Sequence, residues 1–166
     1  MNNFQDSSLP FNHNITREVL AFGYPQASNG KILELVRYTI LPETFVPPHT
    51  HPGMQIEQIA LGILTYTVLE GTAKIRRANS STQLLQAGQT TYLYSGDSLT
   101  EPAGMLHSGK NETNSPIIIY SSSLFEIDQP KVLIADTEST LEHSLSFSSD
   151  YPQSLSLKLM AFPESN

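Results

Sequence analysis

Two histidines separated by one residue stand in the stretch PPHTHPGMQIE, residues 47–57. If this stretch is extended, His49 and His51 project to the same face, with their Cα atoms roughly 6.5 Å apart, so that both imidazoles could reach one ion. Gln55 and Glu57 follow a Pro-Gly pair and share a parity with each other. The spacing leaves two alternatives open, side chains that converge on a metal or a polar patch beside a tight turn.

A second group of chemically distinctive residues lies in residues 96–111, which read GDSLTEPAGMLHSGKN. This segment matches, without a gap, the second motif of the cupin superfamily, which is Gly, five residues, Pro, one residue, Gly, two residues, His, three residues and Asn. The matching positions are Gly96, Pro102, Gly104, His107 and Asn111. Four spacings satisfied together are far more specific than an isolated His-x-His pair.

The stretch around His49 resembles the first cupin motif, which is His-x-His, three or four residues, Glu, six residues and Gly. His49 and His51 fit its opening, but Gln55 stands at the glutamate position and Glu57 lies two residues too late. The closing glycine best matches Gly71, so this segment is about nine residues longer than the motif. Over roughly residues 30–127, the chain therefore resembles a small single-domain cupin, type-2-like, with a modified first motif.

The resemblance implies an all-β fold, the cupin jelly-roll barrel, which is an antiparallel double-sheet β-sandwich. It also implies that His49, His51 and His107 line the interior and hold one divalent metal ion. Imidazole suits Fe, Mn, Zn, Ni or Cu, and Fe(II) is the ion we favour among them. Three nitrogens on one side of the ion leave positions open for a substrate or water.

The missing carboxylate leaves the fourth ligand open between Gln55 and Glu57. A neutral Gln55 would bind weakly or act from outside the ligand set, and the centre would keep a charge of about +2, which favours anionic chelating substrates. Glu57 would restore the usual charge if it turned inward, or would serve as a catalytic base beside the metal. The competing interpretation places Glu57 on the rim. Glu101, just before the motif's proline, has two open positions, facing the cavity or at the surface, and the surface is favoured.

Short apolar runs separated by Gly, Pro and Asn turns must position these residues. The runs are ITREVLAF (15–22), KILELVRYTI (31–40), GILTYTVLEG (62–71), TAKIRRA (72–78), TTYLY (90–94), MLHSG (105–109) and PIIIYSSSLFEI (116–127). Such spacing is typical of a β-sandwich or barrel, independently of any resemblance.

Three segments follow from this pattern. Residues 1–14 are polar and are predicted to form a flexible arm, and residues 15–127 form the barrel. Residues 128–166 are predicted to add strands or a tail that packs on the barrel or on a partner, with a short helical piece near residues 137–143.

Composition narrows the class of protein further. Sixteen acidic against nine basic residues give a formal charge of −7, which argues against nucleic acid or an anionic membrane as a partner. The absence of cysteine excludes disulfides, thiolate nucleophiles and Cys-based metal sites. No segment approaches the roughly 20 apolar residues of a membrane helix, and the N-terminus has no basic start followed by an apolar run, so we expect a soluble, cytoplasmic protein.

These observations predict a metal-dependent cupin, an oxidoreductase of dioxygenase type that acts on a small anionic organic substrate, with O2 at the remaining position of the metal. A homodimer is expected by analogy with other cupins. One alternative is a non-catalytic cupin that binds a small ligand with a structural metal or none. The other is a metal-independent isomerase or epimerase in which a cavity histidine acts as base.

Overall fold

The computed structural model of the chain describes residues 13–135, and this part consists of twelve β-strands joined by turns. No helix within residues 13–135 has the length and hydropathy that a membrane span requires. The predicted arm falls almost wholly outside the described residues, as do the predicted helical piece near 137–143 and most of the predicted tail.

The strands, numbered in chain order, form two antiparallel sheets. The seven-stranded sheet has the order β1 (Ile15–Gly23), β2 (Lys31–Ile40), β11 (Ile117–Glu126), β4 (Met54–Leu61), β9 (Ser98–Glu101), β6 (Thr72–Arg76) and β7 (Thr82–Gln86). The five-stranded sheet has the order β12 (Leu133–Ile134), β3 (Thr44–Thr50), β10 (Leu106–Asn111), β5 (Ile63–Glu70) and β8 (Thr90–Tyr94). The predicted all-β, double-sheet architecture is confirmed.

Apolar side chains from both sheets meet in one core. Each sheet contributes residues that are almost fully buried: Val36, Ile59, Ile75, Leu99 and Ile117 from the larger sheet, and Leu64, Val68 and Leu93 from the smaller one. Burying one such side chain stabilises the fold by about 1.5–3 kcal/mol. The core therefore binds the two sheets together and fixes which face of each strand points inward.

The predicted strands agree with the structure where the inward face is apolar. KILELVRYTI coincides with β2 and TTYLY with β8. In β4 the usual alternation is reversed, because Gln55 and Glu57 are buried while Met54 and Ile56 are exposed. A strand with polar side chains inside gives no ordinary hydrophobic signal, and β4 was accordingly not predicted. Strands β7 and β9 are short and were also missed.

The glycine and aspartate that open the second motif hold a turn in place. Gly96 has a φ of 91°, which favours glycine, and a Cβ there would lie 3.1 Å from the Ala78 side chain. The buried Asp97 carboxylate accepts hydrogen bonds from the Tyr94 amide at 3.1 Å and the Ala78 amide at 2.9 Å. It also pairs with the Arg77 guanidinium at 2.8 Å. These bonds tie the β8–β9 turn to the β6–β7 hairpin.

The asparagine that closes the second motif is also structural. The two N–H donors of the Asn111 side chain serve three carbonyl oxygens, those of Ile40 (3.0 Å), Leu41 (3.0 Å) and Ser115 (2.8 Å), so one of them is shared between two acceptors. Its side-chain oxygen accepts a hydrogen bond from the Thr113 amide at 3.1 Å. Asn111 is fully buried, so it joins the end of β2 to the loop between β10 and β11 without help from solvent.

The Asp97 bonds lead to a pH-dependent stability prediction. Asp97→Asn should lower the free energy of unfolding at pH 7 by about 1.5–3 kcal/mol, because charge-assisted hydrogen bonds are weakened. Burial opposes ionisation, but the Tyr94 amide, Arg77 and the Ala78 amide hold the pKa of Asp97 below its usual value. The stabilisation is therefore fully present above the unfolded-state pKa of roughly 3.9 and is lost as pH falls through the lower folded-state pKa.

Urea unfolding of the native protein and the variant at pH 7, 5 and 3 tests this prediction. The difference in unfolding free energy should shrink towards pH 3. Asp128→Asn, at an exposed position, is the matched control and should show little effect at any pH. A difference for Asp97→Asn that stays constant from pH 7 to pH 3 would contradict the assignment.

Candidate metal centre

The structure brings together the three histidines that the sequence singles out. His49 lies in β3 directly opposite His107 in the neighbouring β10, and His51 follows β3 by one residue. All three are only 4–5% exposed. One ring nitrogen from each lies within 4.8 Å of the others, which is close enough for a single ion to be held between them.

Each imidazole is oriented by a backbone carbonyl that faces its Nδ1 atom. The distances are 2.8 Å from His49 to the Pro47 oxygen, 2.8 Å from His51 to the Lys131 oxygen and 3.1 Å from His107 to the Met105 oxygen. A carbonyl oxygen can only accept, so Nδ1 must carry a proton in each ring. In a neutral imidazole the lone pair is then on Nε2, which is the arrangement typical of metal-binding histidines.

Burial keeps the first two histidines uncharged. Burial, together with the nearby His107 and His51 rings, lowers the pKa of His49 to about 3. Burial also lowers the pKa of His51, although the Glu101 carboxylate opposes the change. Both rings are therefore neutral at pH 7, which is the form that binds a metal ion.

The position of His51 depends on the segment where the chain passes from one sheet to the other. A Cβ on Gly53 would lie 2.0 Å from the Leu124 carbonyl oxygen, so only glycine permits this close approach. The Gly104 amide donates to the His51 carbonyl at 2.9 Å, which links the turn of the second motif to the end of the first. Residues 131–134 complete the arrangement, because β12 pairs with β3 and the Lys131 carbonyl accepts from the His51 ring.

A buried carboxylate faces the histidines from the larger sheet. Glu101, in β9, is 2% exposed, so the expected surface position is wrong. Its Oε1 atom lies 3.3 Å from His107 Nε2, and its Oε2 atom lies 3.9 Å from His51 Nε2. The Tyr66 hydroxyl donates to Oε1 at 2.6 Å, and the Gln55 side-chain amide donates to Oε2 at 3.2 Å.

The charge state of Glu101 follows from these neighbours. Burial opposes its ionisation, but His107, His51 and the Tyr66 hydroxyl together lower the pKa of its carboxyl group. Tyr66 in turn has its pKa raised well above the usual value by burial and by the Glu101 charge, so its phenol stays protonated and continues to donate. Glu101 is therefore a carboxylate at pH 7.

Glu57 is a second buried carboxyl group with the opposite charge behaviour. Burial raises its pKa well above the ordinary range, the charge of Glu101 raises it further, and a hydrogen bond with Ser121 opposes the rise. Its surroundings thus favour the protonated form of Glu57, which lines the same cavity as the histidines rather than standing on the rim. The pKa values of the two glutamates are shifted in opposite directions, the pattern expected of an anion paired with an acid.

The cavity that these groups line has a volume of about 60 Å³. A water molecule needs roughly 10–15 Å³ by this measure, so the space holds about four such positions. Apolar side chains form the rest of its wall: Ile15, Ile40, Val46, Leu64, Ile119 and Val132. Of the described residues that line it, none is Lys or Arg.

Two polar residues of the site, Tyr66 and Glu101, were harder to assign from the sequence than the histidines. Tyr66 shares its parity with the core residues Leu64 and Val68, and that pattern signals burial but not a role. Glu101 lies opposite Gln55 in the pairing of β4 with β9, across a separation of 46 residues. Once both strands are known, the pairing reveals the contact, but no local spacing does.

Neither a family model nor a curated protein matches the chain. Among solved structures, a cupin superfamily protein from Desulfitobacterium hafniense is 15% identical, with 68% of this chain and 79% of that chain covered and a TM-score of 0.47. KdgF from a Halomonas species is 17% identical, with 66% and 78% covered and a TM-score of 0.42.

A salicylate 1,2-dioxygenase from Pseudaminobacter salicylatoxidans is 16% identical, with 69% of this chain covered and a TM-score of 0.41. The match spans only 23% of that enzyme's chain. These likenesses are too weak to carry an argument about activity. The fold rests on the chain itself, on the order of its two sheets and on motif histidines that meet across β3 and β10. The chain is an antiparallel double-sheet β-sandwich, the architecture that its resemblance to the cupins predicts.

Proposed function

We propose that this protein is a metal-dependent oxidoreductase of dioxygenase type that acts on a small anionic organic substrate at one mononuclear centre. The observation that carries the proposal is the convergence of His49, His51 and His107, each with its Nδ1 proton held by a carbonyl oxygen. Three imidazoles with one ring nitrogen each within 4.8 Å of the others form a donor set that suits Fe(II), and also Mn, Zn, Ni or Cu.

When bound, Fe(II) would supply the redox chemistry and positions for O2 and a chelating anion. The protein's own part is to hold the three imidazoles in place by their carbonyl partners, and to exclude bulk water with the apolar wall of the cavity. Because none of the described lining residues is Lys or Arg, an anionic substrate would depend on the ion for its binding.

Glu57 is the residue proposed to exchange a proton with the substrate. Its pKa is raised by burial and by the charge of Glu101, so it would enter the reaction protonated and give its proton before acting as a base. Its place in the cavity wall supports this role. Gln55 remains a proposed neighbour of the metal, and its contact with Glu101 indicates that it supports other groups.

Two alternatives differ from this proposal in what they predict for the metal. A binding module would hold a small ligand without turnover, and an isomerase or epimerase would turn over its substrate in the presence of chelators. Oxygen consumption that rises with iron content would support the dioxygenase over both. The expectation of a cytoplasmic protein stays a prediction.

Metal content is the first test. Protein purified without chelators or a metal-affinity tag should contain nearly one equivalent of a divalent transition metal, and His107→Ala should lose most of it because one of three nitrogen ligands is gone. His13→Ala is the matched control, since His13 is exposed and outside the centre. Elemental analysis measures all three proteins. Unchanged metal content in His107→Ala would contradict the centre.

Anion binding is the second test. Glycolate, a small chelating anion, should bind the metal-loaded protein measurably by calorimetry and lose at least about 30-fold in affinity after the metal is removed, roughly 2 kcal/mol. The reason is that the cavity lining holds the Glu101 carboxylate and no side-chain cation. Glycolate that binds equally well to the metal-free protein would argue for the metal-independent alternatives.

The homodimer is proposed on a further observation, an exposed apolar face on the larger sheet. Leu35 and Ile56 lie in one row across β2, β11 and β4, and Leu33 and Met54 lie in the next row with Leu124 between them. These four side chains are 42–54% exposed. Neighbouring apolar side chains on an outer sheet face are typical of an interface.

A charge placed on that face should weaken the dimer. Leu35→Lys is expected to shift the sedimentation coefficient from dimer to monomer at micromolar concentration, because a buried lysine without a partner opposes association. Leu84→Lys is the control, since Leu84 is exposed on β7 at the other edge of the sheet. A monomeric native protein, or a dimer unaffected by Leu35→Lys, would exclude this face.

A further inference from the structure

We propose that Glu101 is the fourth protein ligand of the metal centre, and that it replaces the glutamate missing from the first motif, with Tyr66 and Gln55 holding its carboxylate in position. This inference rests on the proposed metal centre. The first motif has its carboxylate at the position of Gln55 in β4. Glu101 lies in the adjacent β9, at a position for which the second motif specifies no residue type.

Glu101 lies at ligand distance from two of the three histidines. Its Oε1 atom is 3.3 Å from His107 Nε2, and its Oε2 atom is 3.9 Å from His51 Nε2. Ligand atoms bonded at about 2.0–2.2 Å to one ion lie roughly 3–4 Å from one another. Among the described residues, the ligand atoms that all lie within 4.8 Å of one another belong to the three histidines alone, so the Glu101 carboxylate, which is 2% exposed and lines the same cavity, would move towards His49 on binding the ion.

His107 directs one ring nitrogen towards Glu101. Its Nδ1 atom faces the Met105 carbonyl at 3.1 Å, so Nε2 is the nitrogen that faces the carboxylate. Nε2 lies 3.3 Å from Glu101 Oε1. A ring nitrogen and a carboxylate oxygen at this distance need a proton or a cation between them, and a divalent ion bound there would contact both atoms.

The surrounding side chains are arranged to hold the Glu101 carboxylate. Ser121 donates to the Gln55 side-chain oxygen at 3.3 Å, which turns the amide nitrogen of Gln55 towards Glu101. The side-chain oxygen of Gln55, the atom by which a glutamine binds a metal, is instead the one that accepts from Ser121. Tyr66 holds the other carboxylate oxygen at 2.6 Å. Gln55 is thus a positioning residue for Glu101 rather than a ligand.

The register of β4 against β9 explains how a glutamate in β9 can replace one in β4. Gln55 and Glu101 are direct partners in the pairing of β4 with β9, so a carboxylate at either position reaches the same part of the cavity. With glutamate at both positions, two carboxylates would meet in a buried site and repel each other. One carboxylate also lowers the charge of the centre from about +2 to about +1, which a singly charged anion would neutralise.

Exchanging the two side chains tests the inference. Zn²⁺ affinity would be measured by competition with a fluorescent chelator, since zinc binds nitrogen and oxygen ligands and is not oxidised. Glu101→Gln should weaken binding by at least about 100-fold, because even residues behind the ligands change affinity by about 10–100-fold. Adding Gln55→Glu to that variant should restore affinity to within about tenfold of the native protein, because it returns a carboxylate to the same space.

Comparison of His107→Ala with Glu101→Gln distinguishes failure of the metal centre from failure of the Glu101 assignment. If the native protein binds no Zn²⁺, or if His107→Ala binds as tightly as the native protein, the metal centre itself is wrong and so is the ligand assignment. If His107→Ala loses binding while Glu101→Gln keeps native affinity, the metal centre stands and only the role of Glu101 is overturned. A purely structural Glu101 would lower the melting temperature of the metal-free protein in Glu101→Gln without changing Zn²⁺ affinity.

A measurement on the native chain covers the case in which Glu101→Gln does not fold. The infrared difference spectrum between zinc-loaded and metal-free protein should show a shifted carboxylate stretching band that is sensitive to ¹³C-labelled glutamate. A difference spectrum with imidazole bands but no glutamate band would overturn the inference.

Discussion

The centre depends on one constraint, which is that a buried neutral imidazole has a proton and a lone pair and both must be placed without water. In this protein the three Nδ1–H groups donate hydrogen bonds to three backbone carbonyls, those of Pro47, Met105 and Lys131. Each carbonyl is fixed by its own strand or turn, so the backbone geometry determines where the three lone pairs point. The turns at Gly53 and Gly104 are part of the same requirement, because they set the direction in which His51 leaves β3.

The inner face of the larger sheet shows what such a centre costs the fold. Gln55, Glu57, Glu101 and Ser121 occupy inward positions that would otherwise carry apolar side chains. A buried polar group destabilises the protein unless it is hydrogen-bonded, and these four form a connected network. Within this network, neighbouring donors favour the ionised form of Glu101 and burial favours the protonated form of Glu57, which limits the negative charge placed beside the histidines. Leu99, Ile59 and the other core residues supply the stability that this polar region lacks.

The part of the structure that could be predicted was the part encoded by local spacing. Apolar alternation located β2 and β8, and the second motif located His107, because each depends on neighbours along the chain. The burial of Glu57, left open between the cavity and the rim, depends on β4 having a polar inward face, which alternation alone does not indicate. Glu101 was expected at the surface, since its partners Gln55 and Tyr66 come from distant strands.

The hydrogen bond from His51 to the Lys131 carbonyl joins the centre to a segment beyond the two motifs. That segment is held against β3 by the short β12 pairing and by the Ala135 amide bonded to the Pro48 carbonyl. Occupancy of the centre and docking of this segment are therefore thermodynamically linked, and the linkage is reciprocal. An ion that fixes His51 makes the segment harder to detach, and whatever pulls the segment away loosens the ion by the same free energy.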